Sequence, residues 1–314
     1  MSSIGELRQM ALRPRGDAKA AGRTRYPDNR AGYLFLAPWL IGLLVFTIGP
    51  MLASLFLSFT DYNLLQPPSW SGFDNIVEMA GDARLWNSLR VTLIYVFVSV
   101  PLQLALALAV AMLLDRGMRG LAFYRSVFYL PSLLGGSVAI AILWRQVFGK
   151  EGIVNSFLAW FGIEGPGWIS HPDYALATII ILHVWTFGSP MVIFLAGLRQ
   201  IPEMYYEAAQ MDGAGRFRRF FSITFPLLTP IIFFNLVLQI IFAFQSFTQA
   251  YIVSGGTGGP SDSTMFFTLY LYKEAFTELN MGYASAMAWL LLLIIAAFTA
   301  VNFWLSKFWV FYDD

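Results

Sequence analysis

The chain has 314 residues, 57% of them hydrophobic and only 12% charged, against roughly a quarter charged in soluble domains. That balance excludes an ordinary cytosolic enzyme, and 29 Phe, 14 Tyr and 10 Trp exclude a disordered chain. With no Cys there is no disulfide framework, thiolate metal site or Cys nucleophile, and a net charge of +1 gives no global attraction to nucleic acid.

Residues 1–30 are polar and carry seven Lys and Arg, from Arg8 to Arg30. This basic segment fits contact with anionic lipid, or serves as a topology signal and nothing more. Residues 31–60 hold no Asp, Glu, Lys or Arg. They are long enough to cross a membrane and too long for the core of a cleaved secretion signal, so they read as an uncleaved first transmembrane helix. Residues 61–90 follow as an outer loop. Further uncharged stretches occupy 91–114, 126–144, 174–198, 220–261 and 279–306, the fifth too long for one helix and so containing loop. They are continuously apolar, as at 288–297, where barrel strands would alternate. The prediction is an all-α integral membrane protein with six transmembrane helices and a short tail at 307–314. Internal prolines such as Pro101, Pro131 and Pro230 are compatible with it, since neighbouring helices satisfy the backbone groups that a proline frees.

Six spans place both ends on one side. Fifteen of the twenty Lys and Arg fall there, against Arg84, Arg90, Lys150 and Lys273 opposite and Arg145 at the outer end of span three. The positive-inside rule then makes both termini cytoplasmic. The span cores carry no acid or base except His183, either a hydrogen-bonded packing residue or a functional one. A transporter driven by a carried ion normally binds it on intramembrane charge. No Lys stands in a G-K-[ST] loop, and no Ser–His–Asp set, HExxH or carboxylate cluster occurs. The drive must come from outside. A self-sufficient secondary transporter or channel is the rival reading, and the missing charges argue against it. A membrane enzyme acting on lipid-linked sugars has Asp61, Asp74 and Asp82 available, but nothing pairs them.

Between spans four and five, Pro202 suits a first helical turn, Glu203 faces the positive helix end, and Gly213 is a usual stop. The result is a rod of roughly nine residues, about 14 Å long. Met204, Ala208 and Met211 share one face, and Glu203, Glu207 and Gln210 another. Ala208 and Ala209 permit close approach, which suits a groove in a partner. The other reading is a helix lying on lipid, which its acids disfavour. A second helix begins near Gly215, with Phe217, Phe220 and Phe221 along a stripe.

Span five mixes Asn235, Gln239, Gln245, Ser246 and Gln249 with Phe242, Phe244 and Phe247. Gln239, Phe242, Ser246 and Gln249 share one face of a continuous helix. Amides that hydrogen-bond hydroxyls beside aromatic rings suit a neutral or weakly charged saccharide, and packing between helices accounts for them equally well. Trp185, Thr186, Phe187 and Ser189 in span four, with Tyr283, Ser285 and Trp289 near span six, complete that lining. No intramembrane Arg or Lys stands ready for a substrate anion. The loop Ser254-Gly255-Gly256-Thr257-Gly258-Gly259-Pro260 reads as flexible, either a contact for an external protein or a connector.

Glu207-Ala208-Ala209, three residues, Gly213, nine residues, Ile223 and Phe225-Pro226 resemble the EAA signature of binding-protein-dependent ABC importer permeases. Phe225 stands where the family has Leu and keeps an apolar anchor. Asp212-Gly213-Ala214-Gly215 resembles the usual extension. Ala37-Pro38-Trp39, Trp86-Asn87-Ser88-Leu89, Tyr129-Leu130-Pro131 and Gly258-Gly259-Pro260 are similar to the maltose and glycerol-phosphate subgroup, and the likeness covers about residues 30–310. The resemblance implies the type I importer fold, with the transmembrane core at 91–306 and an inner-membrane, multi-pass location. It implies that residues 202–213 form a coupling helix. Glu207 would pair with a base on an ATP-binding subunit, Ala208 and Ala209 would pack in its groove, and Asp212, Gly213 and Ala214 would make the turn. It further implies a second six-span permease, two ATP-binding subunits that hold the ATP and Mg, an external solute-binding protein, and a sugar held on spans four to six by residues such as Thr186, Gln239 and Gln249. No cofactor is expected in this chain.

Overall fold

The computed structural model describes residues 29–117 and 120–311. The basic segment expected at 1–30 falls almost wholly outside them, as do the last three residues of the tail. The chain divides into two units at Ala53. The first is helical: α1 (Asn29–Leu43), a π-helical turn at Leu44–Ile48, and α2 (Gly49–Leu57), which begins in it and makes Gly32–Leu57 an apolar rod of 26 residues. Pro50 explains the π turn. Its ring cannot accept the regular α-helical packing against the turn before it, and Gly49 N–H donates instead to Leu44 O, one residue further back than an α-helix would. Leu34, Phe35 and Phe46 are exposed along the rod, as side chains solvated by lipid would be.

The second unit opens with a two-residue hairpin, β1 (Thr60–Asp61) antiparallel to β2 (Ser69–Trp70), and α3 (Asp74–Gly81). Then come α4 (Ala83–Leu114), α5 (Leu121–Leu134), α6 (Val138–Val147), α7 (Ile153–Ala159), α8 (Pro172–Trp185), α9 (Gly188–Leu198), α10 (Glu203–Met211), α11 (Arg216–Arg219), α12 (Phe225–Phe244), α13 (Thr248–Val253), α14 (Phe267–Phe276) and α15 (Met281–Trp309). Span two is longer than its uncharged stretch. It begins at Ala83 and carries Arg84 and Arg90, so the outer loop ends earlier than charge alone suggested.

The 32 residues of α4 form the central post, with Leu85, Tyr95, Val96, Val100, Ala107 and Leu114 buried. Around it pack α8, α9, α12 and α14. Asp82 caps α4, its Oδ1 accepting from the N–H groups of Arg84 and Leu85 at 2.8 and 3.1 Å. Its Oδ2 accepts from the hydroxyls of Tyr270 and Tyr283 at 2.7 and 2.6 Å, which pins α14 and α15 to the N-terminal end of the post.

Among the described residues four helices are long and apolar enough to cross a membrane, or six if each bent pair is one span. The bent pairs are α5 with α6, at 96°, and α8 with α9, at 41°. Spans three and four are thus broken, where an uninterrupted apolar stretch had suggested plain helices. After its bend, α6 packs on α13 and reaches α8 through Trp144, whose Nε1–H donates to Thr178 O at 2.9 Å. Span five runs from Arg216 through a π turn at Phe220–Thr224 to Phe244, where it too breaks, and α13 follows.

Candidate functional site

Helix α10 has the expected length and sits where it was expected. Pro202 is its N-cap, one position before the first turn, with extended backbone (φ −60°, ψ 134°). At the other end Gly213 has φ +74°. Its N–H donates to Gln210 O at 3.0 Å, and Ala214 N–H donates to Ala209 O at 2.8 Å, closing the helix in a left-handed cap. None of its residues is buried: Met211 is 90% exposed, and Met204, Glu207 and Ala208 are exposed. Among the described residues, neither the Met204–Ala208–Met211 face nor the Glu203–Glu207–Gln210 face is buried against the chain. Two side-chain links hold its surroundings. Tyr206 and Thr224 share a hydroxyl–hydroxyl bond of 2.9 Å, tying α10 to the π turn that opens span five. Arg199 lies 3.5 Å from Asp115, tying the end of span four to the end of span two. The second helix begins at Arg216 with Gly215 as N-cap, and Phe217 and Phe221 are exposed.

The second region is a polar seam where three helix breaks meet. Ser132 Oγ donates to Thr186 O at 2.9 Å and accepts from Ser189 N–H at 2.8 Å. Gln103 Nε2 reaches His183 O, Thr186 O and Thr186 Oγ1 at 3.1–3.2 Å. Gln249 Nε2 donates to Gly135 O at 3.2 Å, Ser246 Oγ donates to Gln249 Oε1 at 3.3 Å, and Thr268 Oγ1 donates to Ser246 O. The Tyr95 hydroxyl bonds His183 Nδ1 at 3.0 Å and reaches Ser246 Oγ at 3.5 Å. A break leaves backbone carbonyls without helical partners, and hydrocarbon offers none. Side chains of spans two, three and five supply them. The seam therefore both holds the breaks and sets a row of amides and hydroxyls among the spans.

The sequence-predicted residues distribute unevenly. Thr186, Ser246 and Gln249 belong to the seam. Ser189 joins it by its N–H and lines a neighbouring cleft of about 520 Å³ with Arg125, Ser126 and Tyr129. Arg125 stands near the start of α5, which begins at Leu121, five residues before the uncharged stretch does. Phe187 is a core residue, buried beside Phe128 with ring centroids 6.1 Å apart. Gln239 and Trp289 are half-buried, and Phe242 is exposed. Gln245 lies apart, lining an apolar groove of about 600 Å³ with Leu271, Ala288 and Thr299. The single face proposed for Gln239, Phe242, Ser246 and Gln249 does not form. The helix stops at Phe244, and Phe247 leaves helical geometry (φ −130°, ψ −56°).

Tyr95, Gln103, Ser132 and Gly135 were not anticipated. Gln103 is the one amide inside the second uncharged stretch, and that isolation was the available signal. His183 is hydrogen-bonded to the Tyr95 hydroxyl through Nδ1, while its Nε2 has no partner among the described residues.

Residues 79–309 match the family described as binding-protein-dependent transport system inner membrane component. The probable ABC transporter permease protein YesP of Bacillus subtilis is 53% identical over 300 residues, 95% of this chain and 97% of its own. The lactose transport system permease protein LacF of Rhizobium radiobacter is 33% identical over 90% of this chain and 96% of its own. A chain in the crystal structure of a bacterial alginate ABC transporter, in complex with its alginate pentasaccharide-bound periplasmic protein, shares the fold. Its TM-score is 0.73 at 20% identity, over 88% of this chain and 94% of that one.

Proposed function

The chain belongs to the family of binding-protein-dependent transport inner membrane components and is a sugar-type ABC importer permease, and from that premise we propose how it works. It forms half of the pathway beside a second six-span permease. Two ATP-binding subunits hold the nucleotide and its Mg, and an external solute-binding protein delivers a sugar or sugar derivative. This chain breaks no covalent bond. Both termini and α10 face the cytoplasm, supported by the fifteen-to-four bias of Lys and Arg.

One observation carries the coupling role: α10 has no buried residue, yet is closed by a left-handed glycine cap at its C-terminal end and tethered to span five. Ala208 and Ala209 fit a groove of the ATPase, and Glu207 and Asp212 meet its bases. Closure of the ATPases on ATP draws α10 inward, and through Tyr206–Thr224 and Arg199–Asp115 the spans turn outward to receive sugar. Hydrolysis resets them. Sugar hydroxyls meet Thr186, Ser246 and Gln249 of the seam, with Ser189 and Arg125 lining the cleft beside it.

The test is Glu207→Lys combined with Gly213→Asp in the assembled transporter. Uptake and substrate-stimulated ATPase should collapse while the chain stays in the membrane. Unchanged uptake would overturn the coupling role.

A further inference from the structure

A second cavity, of about 390 Å³, lies where α10, α11 and the end of α4 meet. Arg116, Arg216 and Arg219 line it, together with Tyr206 and Thr224. The acid in its lining, Asp115, is engaged by Arg199 at 3.5 Å. The three lining arginines form no ion pair among the described residues. Arg116 and Arg216 are exposed and Arg219 is half-buried, so their repulsion is screened, and an anion that enters the space they line is attracted by all three. Planar guanidinium forks match phosphate oxygens in pairs, better than they match a halide. Tyr206 and Thr224 use one hydroxyl proton on each other, leaving the second for a ligand oxygen.

The surroundings select among phosphates. The cavity sits between the last residues of span two and the first of span five, at the level where apolar helix gives way to charge. Met112, Leu198 and Phe220 form its apolar side. A free ion has no use for that side, whereas a lipid phosphate brings acyl chains to it. Basic pockets between spans at a membrane boundary hold anionic headgroups in this way.

We propose that this cavity is a phosphate site occupied by the headgroup of an anionic phospholipid, which fastens the base of α10 to spans two and five. Binding rests on this geometry alone. Only its effect on coupling rests on the function proposed above, so the two are read separately.

The full chain is placed in nanodiscs of phosphatidylcholine containing a minor share of phosphatidylglycerol, and retained lipid is counted by native mass spectrometry. Nanodiscs present both faces, so the readout does not depend on orientation. Phosphatidylglycerol should be retained about tenfold over its share. Arg216→Gln with Arg219→Gln should abolish the preference, and Arg116→Gln, on a different element, should reduce it even if the double variant folds poorly. Arg218→Gln, outside the cavity, should leave it unchanged. Retention at the level of phosphatidylcholine, or a preference that survives the double substitution, would overturn the proposal. So would displacement of the lipid by millimolar inorganic phosphate, which assigns the site to the free ion. Loss of the preference once the ATP-binding subunits are assembled would equally overturn it, because the arginines would then serve a protein carboxylate. In the assembled transporter, a bound lipid that stiffens the tether should make ATPase stimulation depend on phosphatidylglycerol content in the native chain and not in the double variant.

Discussion

At Gly135 an added carbon would collide with Thr186 Cγ2 and come 2.9 Å from Pro131 O. The close approach of spans three and four leaves no room for a side chain, and the carbonyl of that residue is the one Gln249 holds. Gly135→Ala should lower stability by about 1–3 kcal/mol through overpacking, read as a fall in detergent melting temperature. Gln103→Leu should cost a similar amount, about 1–3 kcal/mol, because its N–H groups leave Thr186 Oγ1 and His183 O without that donor. If Gln103→Leu melts like the native chain, the seam does not hold the breaks. Gly213 is the opposite case. Nothing lies within 4 Å of an added carbon there, so its need is purely the positive φ of the cap. Gly213→Ala should destabilise the end of α10 by about 1–2 kcal/mol and lower ATPase stimulation more than chain yield in the membrane. Gly213 was legible as a helix stop, because a stop is local. Gly135 was not, because its constraint comes from a residue 51 positions away.

At the scale of elements, the N-terminal end of α4 is clamped by one carboxylate. Burial would raise the pKa of Asp82, but the hydroxyls of Tyr283 and Tyr270 and the N–H groups of Leu85 and Arg84 outweigh it and hold the carboxyl below its ordinary range. A depressed carboxylate stabilises the folded chain above its unfolded pKa of about 3.9 and loses that contribution as pH falls through the lower folded value. The melting temperature should therefore drop on acidification below about pH 4. Asp82→Asn should melt lower at neutral pH, by about 1 kcal/mol given partial exposure, and show a shallower acid response. An identical acid response in both chains would remove Asp82 from this role. Among the helices, α10 was read with nearly its true bounds, because Pro202 and Gly213 act over a few residues. The bends at residues 135–137 and 186–187 were invisible in the same reading. Hydropathy counts apolar length and is indifferent to direction, and a helix turned by 96° is as apolar as a straight one. The supposed stripe on span five failed for that reason, since its four members were placed on a helix that ends at Phe244.

For the whole molecule, the span cores carry His183 as their one ionisable acid or base among the described residues, and α10 offers an exposed surface, which supports the proposal that uphill transport draws on partners. The purified chain alone in sealed liposomes should equilibrate solute at most. Accumulation against a gradient without ATP-binding subunits would restore the secondary-transporter reading. Membrane residence, an overwhelmingly helical fold and the existence of the short rod between spans four and five followed from the sequence alone. Burying apolar length, balancing charge across a bilayer and stopping a helix are properties of neighbouring residues. The tertiary structure decided the rest: that Gln103 and Ser132 join Thr186 and Gln249 in one seam, that Phe187 is core, and that Arg125 faces a cleft. Each of these depends on which carbonyls three broken helices leave unpaired and which side chains from other spans reach them. No local pattern encodes that.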